Sequence, residues 1–421
     1  MTFLLFTLLI VFLLLNVPLA ISVALSSIIV LLFSDLSSFV AVQRMITGLD
    51  TFSLMAIPLF MIAGKIMEKG GISKRLIDLA ASIVGSTTGG FAIIAVLASM
   101  FFAAISGSAP ATVVAIGTIM VPAMIKEGYD KKFAIALIAA SGTIGIIIPP
   151  SIPFITYGIS ANTSVGDLFI AGILPGVLMG LSLILYSYII SKKRGYKGPE
   201  KTSMKNFLFN VKHSILGLLM PIIILGGIYS GLFTPTESGA VACIYGLVIS
   251  LFIYKTMKLT DLKKTFIEAG VISAMVLFII ATANLMSWII TIEQVPMKIA
   301  TALSGVTSST ILFLLLMTLV LLIVGTFLEI NAAIILLVPI LLPLLAVYNI
   351  DLTHFGVLMI VNLAIGLLTP PLGVNLFVAK TLGDIQFNEL VRAIVPFLII
   401  MIFNLLILVF VPQISTILVS K

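Results

Sequence analysis

Two adjacent prolines, Pro149 and Pro150, interrupt a long apolar stretch in the first half of the chain. Proline has no backbone N–H, so the carbonyls four residues earlier, those of Gly145 and Ile146, lose their helical hydrogen-bond donors. Inside a bilayer no water replaces such a donor, and an unpaired carbonyl there is costly. The sequence therefore predicts a broken helix whose freed carbonyls need another partner.

The same break occurs a second time, 221 residues further along the chain. Pro370 and Pro371 repeat the pair and free the carbonyls of Gly366 and Leu367. The same offset matches other residues without a gap: Pro122 with Pro343, Asp130 with Asp351, Gly145 with Gly366, and Pro175 with Pro396. A single offset that relates so many positions indicates an internal repeat.

The chain carries too few charges to be a soluble protein. Of its 421 residues, 61% are hydrophobic and only 9% are charged, whereas soluble domains carry about 25% charged residues. At about 20 residues per span, the apolar runs allow roughly ten to twelve crossings or re-entrant pieces. The predicted fold class is an all-α polytopic membrane protein.

The net charge of +7 does not indicate nucleic-acid binding, because the basic residues cluster in short loops between apolar runs. Such loops are typical of the cytoplasmic side of a membrane. The loop around Asp130 holds Lys126, Lys131 and Lys132, whereas the matching loop around Asp351 holds no cation. The first loop is then cytoplasmic and the second external, so the halves are predicted to be inverted repeats, as in secondary transporters.

The predicted organisation gives each repeat one re-entrant hairpin and one broken helix. The ranges are an N-terminal scaffold segment (1–50), a first inverted repeat (51–191) with hairpin 86–126 and broken helix 133–160, cytoplasmic basic loops with central scaffold helices (192–270), and a second inverted repeat (271–421) with hairpin 309–347 and broken helix 354–382.

The predicted hairpin tips, Ser106–Pro110 and Gly325–Asn331, contain small and polar residues. Hydroxyls and carbonyls at the tips and breaks would form oxygen-only clusters, which suit a hard cation such as Na⁺ and not a transition metal. Glu329 places a carboxylate at apparent membrane depth. A charge there is costly, so we expect Glu329 to have a functional role. The structural alternative for Glu329 is helix capping or a link between protein domains.

The remaining motifs favour no enzyme. Thr234–Glu237 fits a helix capping box. No phosphate-binding glycine loop with its lysine occurs, so ATP-driven transport by this chain alone is not expected. His213, His354 and the single Cys243 are too few for a zinc motif, and no nucleophile–base pair stands out.

Four segments resemble the large membrane subunit of tripartite ATP-independent periplasmic (TRAP) transporters, and the resemblance covers essentially the whole chain. They are Ser106–Gly117 (SGSAPATVVAIG), Gly145–Pro153 (GIIIPPSIP), Thr234–Gly246 (TPTESGAVACIYG) and Leu368–Asn375 (LTPPLGVN). The resemblance implies an elevator-type fold of the ion-transporter superfamily. In it, a transport domain carrying both hairpins slides against a scaffold.

The resemblance also implies a function. The family imports organic anions across the bacterial inner membrane, usually carboxylates such as C4-dicarboxylates or sialic acid, driven by a Na⁺ gradient. A small four-helix membrane subunit and an extracytoplasmic solute-binding protein complete the system. Some members are fused to the small subunit, whereas this chain begins with the first segment of the large one, so a separate small subunit is expected.

Three sets of binding residues follow from the resemblance. The first Na⁺ site would use Ser106, Ser108, Gly145, Ile148 and Pro150, and the second would use Gly325, Thr326, Gly366 and Thr369. The substrate would lie between the tips, near Ser108, Pro153, Glu329 and Asn331. Neither tip contains Arg or Lys, so helix N-termini and bound Na⁺ are expected to supply the positive charge.

Two alternatives remain open from the sequence. One is a stand-alone Na⁺/dicarboxylate symporter with a related inverted-hairpin fold, which would need no binding protein. The other is a membrane scaffold or enzyme without transport, which would leave the duplicated breaks without a role. Uptake that requires a secreted binding protein would separate the first alternative from the tripartite system.

Overall fold

The computed structural model of the chain describes residues 1–15, 17–34, 37, 39–199, 204–298 and 309–419. These residues are mostly helical, and no strand forms among them. The helices are α1 (Thr2–Leu14), α2 (Leu19–Leu32), α3 (Phe39–Thr47), α4 (Ala56–Lys69), α5 (Ile72–Val84), α6 (Gly90–Ser106), α7 (Ala109–Lys126), α8 (Lys131–Gly142), α9 (Ile152–Ala161), α10 (Val165–Arg194), α11 (Met204–Tyr229), α12 (Pro235–Val248), α13 (Leu259–Ile292), α14 (Thr310–Phe327), α15 (Ile330–Val347), α16 (Leu352–Gly366), α17 (Val374–Lys380), α18 (Phe387–Phe410) and α19 (Gln413–Thr416).

Within the described ranges, eight helices are long and apolar enough to cross a membrane. A ninth span results if α3 and the segment Phe52–Lys69, which bend by 65° at their junction, cross together. Further apolar helices, among them α6, α9 and α16, are shorter than a full span. This architecture confirms the prediction of an all-α polytopic membrane protein.

The first predicted hairpin consists of α6 and α7, which are joined by a very short tip. Gly107 ends α6 in the left-handed conformation (φ 58°), which glycine adopts without strain. Ser108 then caps α7 by accepting a hydrogen bond from the Ala111 N–H, and Pro110 lies in the first turn. These residue types let one helix end and the next begin within two residues.

The first predicted broken helix consists of α8 and α9. The α-helix ends at Gly142 and continues as a 3₁₀ turn over Thr143–Ile146, so it loosens before the prolines are reached. The chain then passes through the two prolines and re-enters helical structure at Ile152. The second break differs, because α16 stays α-helical up to Gly366.

The helix boundaries of the two halves follow the same 221-residue offset. Helix α7 and helix α15 coincide at both ends under this offset. Asp130 caps α8 by accepting from the Phe133 N–H at 2.8 Å, and Asp351 caps α16 by accepting from the His354 N–H at 2.8 Å. The repeated aspartates therefore start equivalent helices.

The two predicted hairpins differ in how their arms pack. Helix α6 packs along α7, and both contact α8 and its 3₁₀ turn. In the second half, α14 and α15 contact each other little: α14 packs mainly on α16, and α15 packs mainly on α9. Helix α9 therefore joins the two halves of the molecule.

Candidate functional site

The first tip lies directly against the first helix break. A Cβ atom at Gly145 would lie 2.8 Å from the carbonyl oxygen of Ser108 and 2.5 Å from the hydroxyl of Thr112. A Cβ at Gly107 would lie 3.0 Å from the carbonyl oxygen of Pro150. Glycine at both positions lets the tip and the break approach backbone to backbone.

Hydroxyl and carbonyl oxygens concentrate at this contact. The hydroxyls of Ser106 and Thr112 lie 3.0 Å apart, and the Thr112 hydroxyl donates to the Ser108 carbonyl at 2.8 Å. The Ser106 hydroxyl also lies 3.3 Å from that carbonyl. Thr112 was missed from the sequence, although it follows Ser108 by four residues and so lies one helical turn above it.

The structure brings together most of the residues expected at the first Na⁺ site. Ser106, Ser108, Gly145 and Pro150 meet where the tip touches the break. Ile148 belongs to the same break, and its side chain packs against Gly176 of α10.

The chain itself supplies donors for most of the carbonyls that the prolines free. The Ser151 hydroxyl donates to the Ile146 carbonyl at 2.7 Å. The Asn375 N–H donates to Leu367 at 3.1 Å, and the Thr369 N–H donates to Gly366 at 2.9 Å. The carbonyl of Gly145 accepts no hydrogen bond from any described residue. The sequence revealed the lost donors but not these replacements, which depend on how the chain folds around each break.

The second tip contacts the second break even more closely. A Cβ at Gly366 would lie 2.6 Å from the Cα of Gly325 and 2.7 Å from its carbonyl oxygen. The Thr326 hydroxyl donates to the Ile323 carbonyl at 2.7 Å, and the Thr369 hydroxyl donates to the Ile365 carbonyl at 2.9 Å. Each hydroxyl keeps its oxygen lone pairs available as acceptors. Of the four residues expected at the second Na⁺ site, Gly325 and Gly366 form the contact between tip and break, and the hydroxyls of Thr326 and Thr369 donate within their own segments.

Helix α9 contacts both tips. The N–H of Ile152, at its start, lies near Gly107 of the first tip. The Thr156 hydroxyl, one turn further, donates to Asn331 Oδ1 of the second tip at 2.9 Å. Pro153 is buried in α9 between these two contacts. The four residues expected near the substrate, Ser108, Pro153, Glu329 and Asn331, therefore lie on α9 or on the tips that it joins.

Glu329 caps a helix, as the structural alternative proposed. Its carboxylate accepts from the Ala332 N–H at 3.1 Å and from Asn331 Nδ2 at 2.8 Å. Glu329 is the offset partner of Ser108, which caps α7 in the same way. The residue as a whole is nevertheless exposed at the molecular surface.

A cavity of about 330 Å³ opens beside the first tip. Ser106, Ser108 and Pro110 line it from the tip, and helix α4 contributes Lys65 and Glu68. The sequence placed no cation in either tip, and the structure brings Lys65 to the first one from about 40 residues away in the chain. Its i,i+3 spacing to Glu68 was the one local signal.

A second cavity, of about 360 Å³, lies between α3, α9, α13 and α15. Its polar lining comes from Thr47, Thr51, Thr156, Ser160, Asn284 and Ser287. Uncharged polar groups therefore face this cavity, in contrast with the cavity at the first tip.

The side chains that commonly bind transition metals are dispersed in the described part of the chain. No three His, Cys, Asp or Glu side chains come together there. The Thr234–Glu237 motif forms the predicted capping box, with the Glu237 carboxylate accepting from the Thr234 N–H at 2.8 Å. Hydroxyl and carbonyl oxygens, which suit a hard monovalent or divalent cation, lie at both tips, and the second tip adds the Glu329 carboxylate and the Asn331 side-chain amide.

Two short tips that meet two broken helices in a polytopic helical protein are typical of secondary membrane transporters. The chain belongs to the DctM component family of tripartite ATP-independent periplasmic transporters, whose family model matches residues 6–414. The resemblance seen in the sequence is thereby confirmed. The chain is a multi-pass inner-membrane permease subunit and not an enzyme.

Several relatives are similar in sequence to most of this chain. It is 45% identical to the isethionate TRAP transporter permease protein DctMQ of Oleidesulfovibrio alaskensis, over 96% of this chain and 64% of that protein. It is 42% identical to the C4-dicarboxylate large permease DctM of Pseudomonas aeruginosa, over 92% and 90% of the two chains. It is 39% identical to the sialic acid large permease SiaM of Vibrio cholerae, over 90% and 88%.

Solved structures share the fold. The YdaH transporter of Alcanivorax borkumensis matches 89% of this chain and 88% of its own, with a TM-score of 0.64 at 14% identity. MtrF of Neisseria gonorrhoeae matches 90% and 85%, with a TM-score of 0.61 at 13% identity. At these identities the likeness concerns the fold alone.

Proposed function

We propose that this chain imports an organic acid by Na⁺-coupled secondary transport, as the large permease of a tripartite system. One observation carries the proposal: each tip touches a helix break through glycine, so oxygen donors from two chain segments converge twice. Broken helices at the midplane are the usual place for substrate and coupling ions in secondary transporters.

Two Na⁺ sites correspond to these two contacts. Ser106, Ser108, Gly145, Ile148 and Pro150 would hold the first ion, and Gly325, Thr326, Gly366 and Thr369 would hold the second. The oxygen-only donors support this choice of cation. Bound Na⁺ would add positive charge next to the substrate, and its ligands come from both tip and break, so its binding would fix each tip in place.

The acid would bind between the tips, near Ser108, Pro153, Glu329 and Asn331. The N-terminus of α7 directs its positive end at the first tip, which favours an anion there. The relatives are named for isethionate, C4-dicarboxylates and sialic acid, and these share an acid group. That shared chemistry supports an organic acid as the substrate.

The remaining parts of the mechanism follow from the family. An extracytoplasmic binding protein would deliver the acid, and a small four-helix membrane subunit would complete the permease. The tips and breaks would move together as a transport domain against a scaffold, as inverted repeats and an elevator mechanism require. The extensive packing of α9 against α15 supports movement of both tips as one body.

Proteoliposomes test the coupling. They would contain this chain, the small subunit and the binding protein, together with the radiolabelled acid that mass spectrometry identifies in that binding protein. Replacing the Na⁺ gradient by a K⁺ gradient is expected to abolish uptake. Equal uptake driven by a proton gradient alone would refute the Na⁺ coupling, and uptake without the binding protein would support the stand-alone symporter instead.

A further inference from the structure

We propose that Lys65 binds the acid group of the transported anion at the first tip, and that Glu68 holds Lys65 until the anion arrives. This inference rests on the proposed function, because it assigns a partner to the acid group of the substrate. It supplies the cation that both tips lack in the sequence.

The position of Lys65 carries the first part of the argument. Its ammonium lies 2.8 Å from the Glu68 carboxylate, and the two side chains are 25% and 24% exposed. Both line the cavity of about 330 Å³ whose other wall contains Ser106 and Ser108. A cation therefore stands in the same space as the hydroxyls of the first tip.

The second part of the argument is electrostatic. Pro110 and Ala111, in the first turn of the 18-residue helix α7, also line the cavity. That helix end carries partial positive charge. An anion in the cavity would therefore meet the ammonium of Lys65, the positive end of α7 and the hydroxyls of the tip.

Glu68 allows Lys65 to exchange one anionic partner for another. Its carboxylate neutralises Lys65 while the cavity is free, so an entering acid group exchanges one carboxylate partner of Lys65 for another. Lys65 keeps one anionic partner throughout this exchange, while the entering anion adds one negative charge to the cavity and displaces Glu68. Glu68 thus competes with the substrate and allows the acid to leave.

The same pair predicts which acids fit. Among the described residues that line this cavity, Lys65 is the one cation and Glu68 the one anion. An acid with one anionic group satisfies Lys65, whereas a second anionic group would lie near Glu68 and be repelled. The cavity therefore favours acids with a single anionic group over dicarboxylates.

The chain offers a matched control on the same helix. Lys69 lies one turn after Lys65 and forms a 2.7 Å ion pair with Glu268 of α13. Lys69 does not line the cavity at the first tip. Replacing Lys69 thus removes the same charge and a comparable ion pair but alters no residue that lines the cavity.

The test measures the charge preference of the cavity with thiol reagents. Val114 lines the cavity and is 40% exposed. Val114→Cys, in the full chain with Cys243→Ala, is reconstituted in liposomes without substrate or Na⁺. A sulfonate-bearing methanethiosulfonate then serves as the probe acid and a trimethylammonium-bearing one as its cationic counterpart. The readout is the ratio of the two modification rates.

Substitutions of Lys65 and of Glu68 are expected to change the ratio of modification rates in opposite directions. Lys65→Gln should lower the anion-to-cation rate ratio about fivefold, and Glu68→Gln should raise it about fivefold, since nearby charges concentrate counter-ions in a cleft. Lys69→Gln should leave it unchanged. A Lys65→Gln effect no larger than that of Lys69→Gln would overturn the assignment of Lys65.

Competition tests the single-anion preference. Isethionate, which has one anionic group, is expected to slow the sulfonate reagent more than succinate, which has two, and Glu68→Gln should reduce the difference. If isethionate and succinate slowed the sulfonate reagent equally while Lys65 and Glu68 were both present, the preference for acids with a single anionic group would be refuted. The thiol-reagent assays need no Na⁺ gradient, so they are independent of the uptake experiment. If Lys65→Gln shifted the ratio of modification rates but uptake did not depend on Na⁺, only the Na⁺ coupling would be refuted. Na⁺-dependent uptake with an unshifted ratio would refute only the role of Lys65.

Discussion

Single glycines decide whether each tip can meet its break. At Gly366 the neighbouring atoms are the backbone of Gly325, so no side-chain rotation can make room for a methyl group. Backbone shifts of this kind cost about 1–3 kcal/mol in well-packed interiors. The second contact therefore depends on the absence of a single atom.

Gly366→Ala is expected to push the second tip off its break. The melting temperature of the purified protein should fall, and the Na⁺ concentration for half-maximal uptake should rise about tenfold, equivalent to about 1.4 kcal/mol. Both quantities are measured on the reconstituted system, by thermal unfolding and by Na⁺ titration of uptake.

Gly270→Ala is the matched control for this substitution. Gly270 lies in helix α13, and a Cβ there meets nothing within 4 Å. Alanine should stabilise the helix by up to about 1 kcal/mol and leave the Na⁺ dependence unchanged. If Gly366→Ala behaved like Gly270→Ala, the contact with Gly325 would have no role in ion binding.

Residues near the tips differ in how readily the sequence identifies them. Short motifs of small residues next to a proline break or a helix end contain Ser106, Ser108, Gly325 and Gly366. The local sequence pattern was therefore sufficient to assign these four residues to the tips and breaks. Lys65 reaches the first tip only because α4 packs beside α6. Local periodicity holds no information about such a long-range contact, and the ion pair with Glu68 resembles ordinary surface pairing.

The helix breaks were also only partly predictable from the sequence. Proline chemistry predicted where each helix is interrupted, and the 221-residue offset predicted that the interruption recurs. The local hydrogen bonds differ between the copies: a 3₁₀ turn precedes the first break, whereas α16 continues to its last glycine. These differences depend on later residues such as Ser151 and Asn375, which return donors to the freed carbonyls.

Replacing Pro149 and Pro150 together by Ala is expected to join α8 to α9. Alanine restores two N–H donors and has the highest helix propensity. A continuous helix would carry the Pro150 carbonyl away from Gly107 and weaken the first Na⁺ site. The Na⁺ concentration for half-maximal uptake should rise about tenfold or more, equivalent to about 1.4 kcal/mol.

Pro175→Ala is the control for the double substitution. Pro175 lies inside α10, which continues through it without a break. Its replacement should leave the Na⁺ titration of uptake unchanged. Normal Na⁺ dependence in the Pro149→Ala, Pro150→Ala variant would disprove the placement of an ion at this break.

At the scale of the molecule, α9 from the first half packs against α15 from the second. One hydrogen bond, from the Thr156 hydroxyl to Asn331 Oδ1, ties α9 to the second tip. Asn331 in turn donates to Glu329. The sequence predicted two related halves, but their offset says nothing about which helices join them.

Thr156→Val is expected to loosen this connection between the halves. Valine keeps the shape of the side chain but leaves the buried Asn331 oxygen without its donor, at a cost of about 1–3 kcal/mol. The acid concentration for half-maximal uptake should rise about tenfold, equivalent to about 1.4 kcal/mol. Uptake kinetics at saturating Na⁺ provide the measurement.

Thr265→Val serves as its control, because the Thr265 hydroxyl donates within its own helix, to the Asp261 carbonyl at 2.9 Å. This change should leave uptake kinetics unaltered. An equal response of the two variants would mean that the hydroxyl of Thr156 stabilises only its own helix.

The contact of α9 with both tips has a thermodynamic consequence. An occupant of one tip that shifts α9 changes the free energy of binding at the other, and such a coupling is reciprocal. If Na⁺ raises the affinity for the acid by a given factor, the acid raises the affinity for Na⁺ by the same factor. The affinity for either ligand would then depend, through α9, on whether the other ligand is bound.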